Sequence, residues 1–133
     1  MRESREIKFR GKRLENGQWV YGYPYCWHSK RTAGRLKAFI HEVTFQDGLK
    51  TLDAQLEVDP NTVGQYTGLH DSKGKEIYEG DIIRYRFLNE DCIGTVRFDE
   101  RLAHFIAYEY AHGEVIGNVW ENSELLEDKN AKG

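Results

Sequence analysis

Residues that favour tight turns cut this 133-residue chain into short runs, a spacing that suits strands and leaves little room for long helices. Asn16-Gly17 lies between Ile7 to Arg13 and Gln18 to Trp27. Asn-Gly tolerates the positive φ angles of a hairpin turn, so the two flanking runs are expected to pair. Gln46-Asp47-Gly48 separates Leu36 to Phe45 from Leu49 to Val58 in the same way, although Leu49, Leu52 and Leu56 are also spaced as on one face of a helix. Asp59-Pro60 stops that element. Val63 to Leu69 then reads as a short strand or extended segment, and His70-Asp71-Ser72-Lys73-Gly74-Lys75 supplies turn chemistry.

From Ile77 onward the punctuation recurs at roughly ten-residue spacing. Glu79-Gly80-Asp81 leads into Ile82 to Phe87, Asn89-Glu90-Asp91 into Cys92 to Phe98, Asp99-Glu100 into Ala103 to Tyr110, and His112-Gly113 into Glu114 to Trp120. Four short strands so spaced predict a small barrel or sandwich. Asn122 or Ser123 can cap a brief helical turn through Leu125 and Leu126. The expected fold is mainly β: an N-terminal β-hairpin region over 1–58, a connector over 59–76, a small SH3-like β-barrel over 77–127, and a disordered tail over 128–133.

Hydrophobic residues at 39% and charged residues at 31% fit a globular chain, with enough apolar matter to bury and no excess of one charge. The net charge of −3 is unevenly spread: residues 1–37 carry ten Lys/Arg against three Asp/Glu, and the rest nine against nineteen. Such asymmetry bears on partners and self-association rather than on fold. No apolar run approaches the roughly 18 residues that span a bilayer, and MRESREIKFRGKR lacks the apolar core of a secretory signal. A cytoplasmic protein without a membrane partner is expected. In that compartment Cys26 and Cys92 are read as reduced packing residues rather than a disulfide.

The opening IKFRGKRLENGQWVYGY, the central VDPNTVGQYTGLHDSKGKEIYEGDIIR and the closing EVIGNVWENSELLE together resemble the YopX family of bacteriophage and prophage proteins. The resemblance spans nearly the whole chain, and the central motif is its most specific part. It implies a mostly β fold and a phage-encoded protein in a bacterial host cell. It implies no reaction, since the family is one of uncharacterised proteins.

The glycines of the central motif do not make a phosphate loop. Five residues separate Gly68 from Gly74 where that loop needs four, and Glu76 stands where a magnesium-binding Ser or Thr is required. Asp59, Asp71, Glu79 and Asp81 are read as turn formers whose carboxylates accept local amide hydrogen bonds. An enzyme acting on a phosphorylated or nucleotide substrate would rest on those acidic turns alone. His28, His41, His70, His104 and His112 show no paired ligand spacing beyond Cys26 with His28, so no metal and no cofactor is expected. No nucleophile elbow, HExxH or cysteine-protease signature is present, which leaves no candidate catalytic residue.

Alternation through Gln18 to Trp27 places Trp19, Tyr21, Tyr23, Tyr25 and Trp27 on one strand face, with Pro24 marking an edge, a bulge or the end of regular pairing. Large aromatics most often form core, and core is the expectation for this stripe. The main functional expectation is therefore a non-enzymatic phage accessory protein that binds another protein or assembles with itself. The alternative is nucleic-acid binding, in which Trp19, Tyr21 and Tyr23 stack bases while Lys8, Arg10, Lys12, Arg13, Lys30, Arg31 and Arg35 meet phosphates.

Overall fold

The fold comes from a computed structural model that describes residues 7–27, 36–46, 49–99, 104–106 and 112–126. It is mainly β, with eleven described strands: β1 (Phe9–Lys12), β2 (Trp19–Trp27), β3 (Lys37–Gln46), β4 (Leu49–Val58), β5 (Gly64–His70), β6 (Glu76–Tyr78), β7 (Asp81–Phe87), β8 (Glu90–Thr95), β9 (Arg97–Asp99), β10 (His104–Ile106) and β11 (Glu114–Asn118). Every ladder among the described residues is antiparallel. The chain divides into two compact units at Gln65/Tyr66, inside the 59–76 stretch.

In the first unit β1 pairs with β2 from Phe9↔Gly22 to Lys12↔Trp19, around the loop 14–17 in which Gly17 has φ 72° and the Asn16 carboxamide accepts the Gln18 N–H at 2.9 Å. β2 then passes from one partner to the next, pairing with β3 from Tyr23↔His41 to Trp27↔Lys37. Gly22 sits at the hand-over, where a Cβ would overlap the His41 carbonyl oxygen. Pro24 falls beyond the β1 ladder, as its missing donor requires. β3 and β4 pair from Ala38↔Val58 to Gln46↔Leu49, with a bulge after Glu42, so residues 49–58 form a strand despite their leucine spacing. The Asp47-Gly48 turn between them lies outside the described residues.

Val20, Ala38, Ile40 and Val58 form the core of this unit, joined by Phe9, Leu56 and Val63. Each large apolar side chain so buried contributes about 1.5–3 kcal/mol. Gly11 lets β1 lie directly over Val58, whose Cγ2 would be 2.8 Å from a Cβ there. Asp59 caps the 3-10 turn Pro60–Thr62 by accepting the Asn61 N–H at 3.0 Å, and the buried Thr62 hydroxyl accepts the Lys12 N–H at 2.9 Å. The Asp-Pro stop is thereby stitched to β1.

In the second unit the end of β5 turns through 71–75 into β6, and β7 lies between β8 and β11. Ile77, Ile83 and Val96 form its core with Leu69, Tyr85 and Val115 packed against them. Ile82 and Ile83 are both fully buried although they face opposite ways, so β7 is covered on both sides there. Among the described residues these ladders do not close into a barrel.

Several boundaries differ from the sequence expectation for physical reasons. The expected strand Cys92 to Phe98 is broken at Val96, whose N–H donates to Asp81 O and whose carbonyl accepts the Gly80 N–H, both at 2.9 Å. The turn expected at Asn89-Glu90-Asp91 is instead Leu88-Asn89, because Phe87 pairs with Glu90. β11 ends at Asn118 rather than Trp120, since the Asn118 side chain accepts the Trp120 and Glu121 N–H groups at 3.1 and 2.9 Å. Residues 124–126 form the expected helical turn. The tail 128–133, most of the loop Ser29 to Lys37, and parts of the strand Ala103 to Tyr110 fall outside the described residues. Cys26 is exposed rather than packed, and Cys92 is half-buried.

Candidate functional site

Residues directly opposite in an antiparallel ladder share a face. Arg10 faces Tyr21 and Lys12 faces Trp19 across β1–β2, while Tyr23 faces His41 and Tyr25 faces Phe39 across β2–β3. The core residues Val20, Ala38 and Ile40 occupy the alternate positions. The expectation that the aromatic stripe is core is therefore overturned for its three tyrosines: Tyr21, Tyr23 and Tyr25 are 45%, 44% and 52% exposed, while Trp19 is half-buried and the Trp27 side chain lies outside what the structure describes. Aliphatic side chains of β2, β3 and β4 fill the core side, so the rings take the outer one.

Arg10 is 6% exposed, and its guanidinium carbon lies 4.6 Å from the centroid of the half-buried Trp19 ring. That cation–π contact fixes the charge beside the stripe instead of leaving it on a mobile arm. Lys12 and Lys8 are half-buried on the same alternation, Lys8 one residue ahead of β1. Arg13 falls on the opposite alternation and pairs with Glu15 at 2.7 Å. Lys30, Arg31 and Arg35 lie outside the described residues. The β1–β2 ladder thus brings together Arg10, Lys12, Trp19 and Tyr21, with Tyr23 further along β2 and Lys8 just ahead of β1, and the β2–β3 ladder adds three residues absent from the expected site. These are Tyr25, Phe39 and His41, the last with its ring centroid 6.0 Å from that of Tyr25. Tyr25 was legible as part of the stripe. Phe39 and His41 come in only through the β2–β3 register.

The carboxylates of the acidic turns are engaged by backbone N–H groups, Asp71 beyond its own turn as well as within it. Asp59 caps its 3-10 turn, Asp81 accepts the Tyr78 N–H at 2.8 Å, and Asp71 accepts the Lys73, Lys75 and Val115 N–H groups at 2.8–2.9 Å. Asp59, Asp71 and Asp81 each hold backbone in place in this way. In the second unit a shallow groove of about 360 Å³ is lined by Arg84, Arg86, Asp91, His112 and Glu114 among others. Its ion pairs, Arg84–Glu114 at 3.4 Å and Arg86–Asp91 at 4.0 Å, are long and exposed. Among the described residues no three His, Cys, Asp or Glu side chains converge as a metal site, and no helix is long and apolar enough to cross a membrane.

The family model described as YopX protein matches residues 8–127. The chain belongs to the YopX family. The comparison with curated proteins finds no match. Among solved structures, the chain is similar to protein EF1440 from Enterococcus faecalis, at 20% identity and a TM-score of 0.54, covering 92% of this chain and 99% of that one. At that identity the likeness concerns fold, and it extends the YopX-family chain's β architecture to a crystal structure.

Proposed function

We propose that this YopX-family chain is a non-enzymatic binding protein whose ligand is nucleic acid, held on the outer face of its N-terminal sheet. The observation that carries this reading is the row of exposed rings at Tyr21, Tyr23 and Tyr25 on the sheet face that also carries the half-buried Lys8 and Lys12. Exposed aromatics offer faces for bases, adjacent cations neutralise phosphates, and the pairing of the two suits this ligand better than either feature alone. The resemblance to phage and prophage proteins supports a phage-encoded role in the host cytoplasm. The return of β11 to pair with β7, on the side away from β8, supports an SH3-like barrel as the form of residues 77–127.

Labelled single- and double-stranded oligonucleotides at low salt test the reading by fluorescence anisotropy. Binding should weaken steeply with salt as counterions are displaced, and Lys8→Ala should lower the slope of log affinity against log salt by about one. No anisotropy change with either oligonucleotide would remove the reading.

A second reading, self-association, is favoured by one separate observation: the basic first 37 residues and the acidic remainder can attract one another between copies.

A further inference from the structure

Resting on the nucleic-acid reading, we infer that the outer face of the N-terminal sheet holds an extended single strand, one base on each of Tyr21, Tyr23 and Tyr25, with its phosphates on the β1 side beside the half-buried Lys12 and Lys8. The face carries two parallel rows of matching spacing. Trp19, Tyr21 and Tyr23 alternate along β2. Lys12 lies opposite Trp19, Arg10, buried against the Trp19 ring, lies opposite Tyr21, and Lys8 stands one residue ahead of β1 on the same alternation. Within each row, neighbours are two residues apart, or about 6.8 Å at the rise of an antiparallel strand.

That spacing is about twice the ~3.4 Å rise of a stacked nucleic-acid strand. Bases that land on successive tyrosines therefore cannot remain stacked on one another, and a duplex, whose base faces are covered, cannot present them at all. An unpaired strand can open to this pitch and trade base–base stacking for base–tyrosine stacking. The two sides of the row differ as well. The β1 side carries the cations, while the β3 side offers Phe39 opposite Tyr25 and His41 opposite Tyr23. This asymmetry sets the backbone toward β1 and the bases toward β3. Stacking uses ring faces and not base edges, so the site should accept any sequence.

The test compares a labelled oligothymidylate dodecamer, the same oligomer with three central abasic residues, and a duplex of equal length, all at low salt. Tyr21→Ala, Tyr23→Ala and Tyr25→Ala should each weaken single-strand binding by about five- to 150-fold. Tyr23→Phe, which keeps the ring face, should leave it near the original, and the abasic oligomer and the duplex should bind less tightly. The abasic and phenylalanine comparisons do not depend on an alanine variant folding normally. Suppose instead that tyrosine variants and the abasic oligomer bind like the originals while Lys8→Ala and Lys12→Ala weaken binding. Charge alone then holds the ligand, and this inference falls while the nucleic-acid reading stands. A duplex that binds as tightly as the single strand also overturns it. If no oligomer binds, both readings fall together.

Discussion

Asp71 is a turn residue whose carboxylate reaches well beyond its turn. One oxygen accepts the Lys73 and Lys75 N–H groups at 2.9 and 2.8 Å, and the other accepts the N–H of Val115 at 2.9 Å, 44 residues along the chain. Burial raises the pKa of this carboxyl, but the three backbone N–H bonds, helped by the nearby Lys75 charge, outweigh it and hold the pKa below the usual value. A carboxyl depressed in the folded state stabilises the protein above its unfolded pKa, and that contribution disappears as pH falls through the folded value. Stability of the original protein should therefore drop on acidification below about pH 4. Asp71→Ala should lose about 1–3 kcal/mol at neutral pH and show a flatter acid limb, read by urea denaturation at several pH values. An equally steep acid limb in the variant would assign the effect elsewhere. Gly80 shows the same economy in backbone form: it has φ 95°, and a Cβ there would run into the Trp120 ring. The central EGD and closing GNVWEN motifs of the family are thus two sides of one contact.

At the scale of the element, the β7–β8 hairpin carries a local conflict. Leu88 and Asn89 have φ 52° and 67°, the arrangement of a two-residue turn with both central residues left-handed. Asn suits that conformation, while Leu does not, and Leu88 is 81% exposed, so little burial compensates it. Leu88→Asn should raise stability by about 1 kcal/mol, measured as a higher denaturation midpoint at unchanged slope. A lower midpoint would mean that Leu88 makes a contact worth more than the backbone strain. The sequence placed this turn one residue late because Asn89-Glu90-Asp91 looks more turn-like than Leu88, and only strand pairing sets the register. The first two hairpins were more legible, since Asn16-Gly17 and Asp47-Gly48 combine turn chemistry with position midway between alternating runs.

At the scale of the whole molecule, charge is segregated along the chain: residues 1–37 are strongly basic and the remainder acidic. If copies associate through that segregation, light scattering should show a mass that falls as salt rises from low to high, because screening shortens to about 3 Å at 1 M. A constant monomer mass at every salt and concentration would end the self-association reading. The sequence by itself determined the β class, most turns and the family, because Gly, Pro, Asn and Asp act through backbone angles within a few residues. It also defined the two faces of β2 by alternation. Only the tertiary structure decided which face meets solvent. Alternation is symmetric, and the choice depends on where Val20 of β2, Ala38 and Ile40 of β3 and Val58 of β4 find one another. That choice turned the row Tyr21, Tyr23, Tyr25 from expected core into the outer surface on which the proposed function rests.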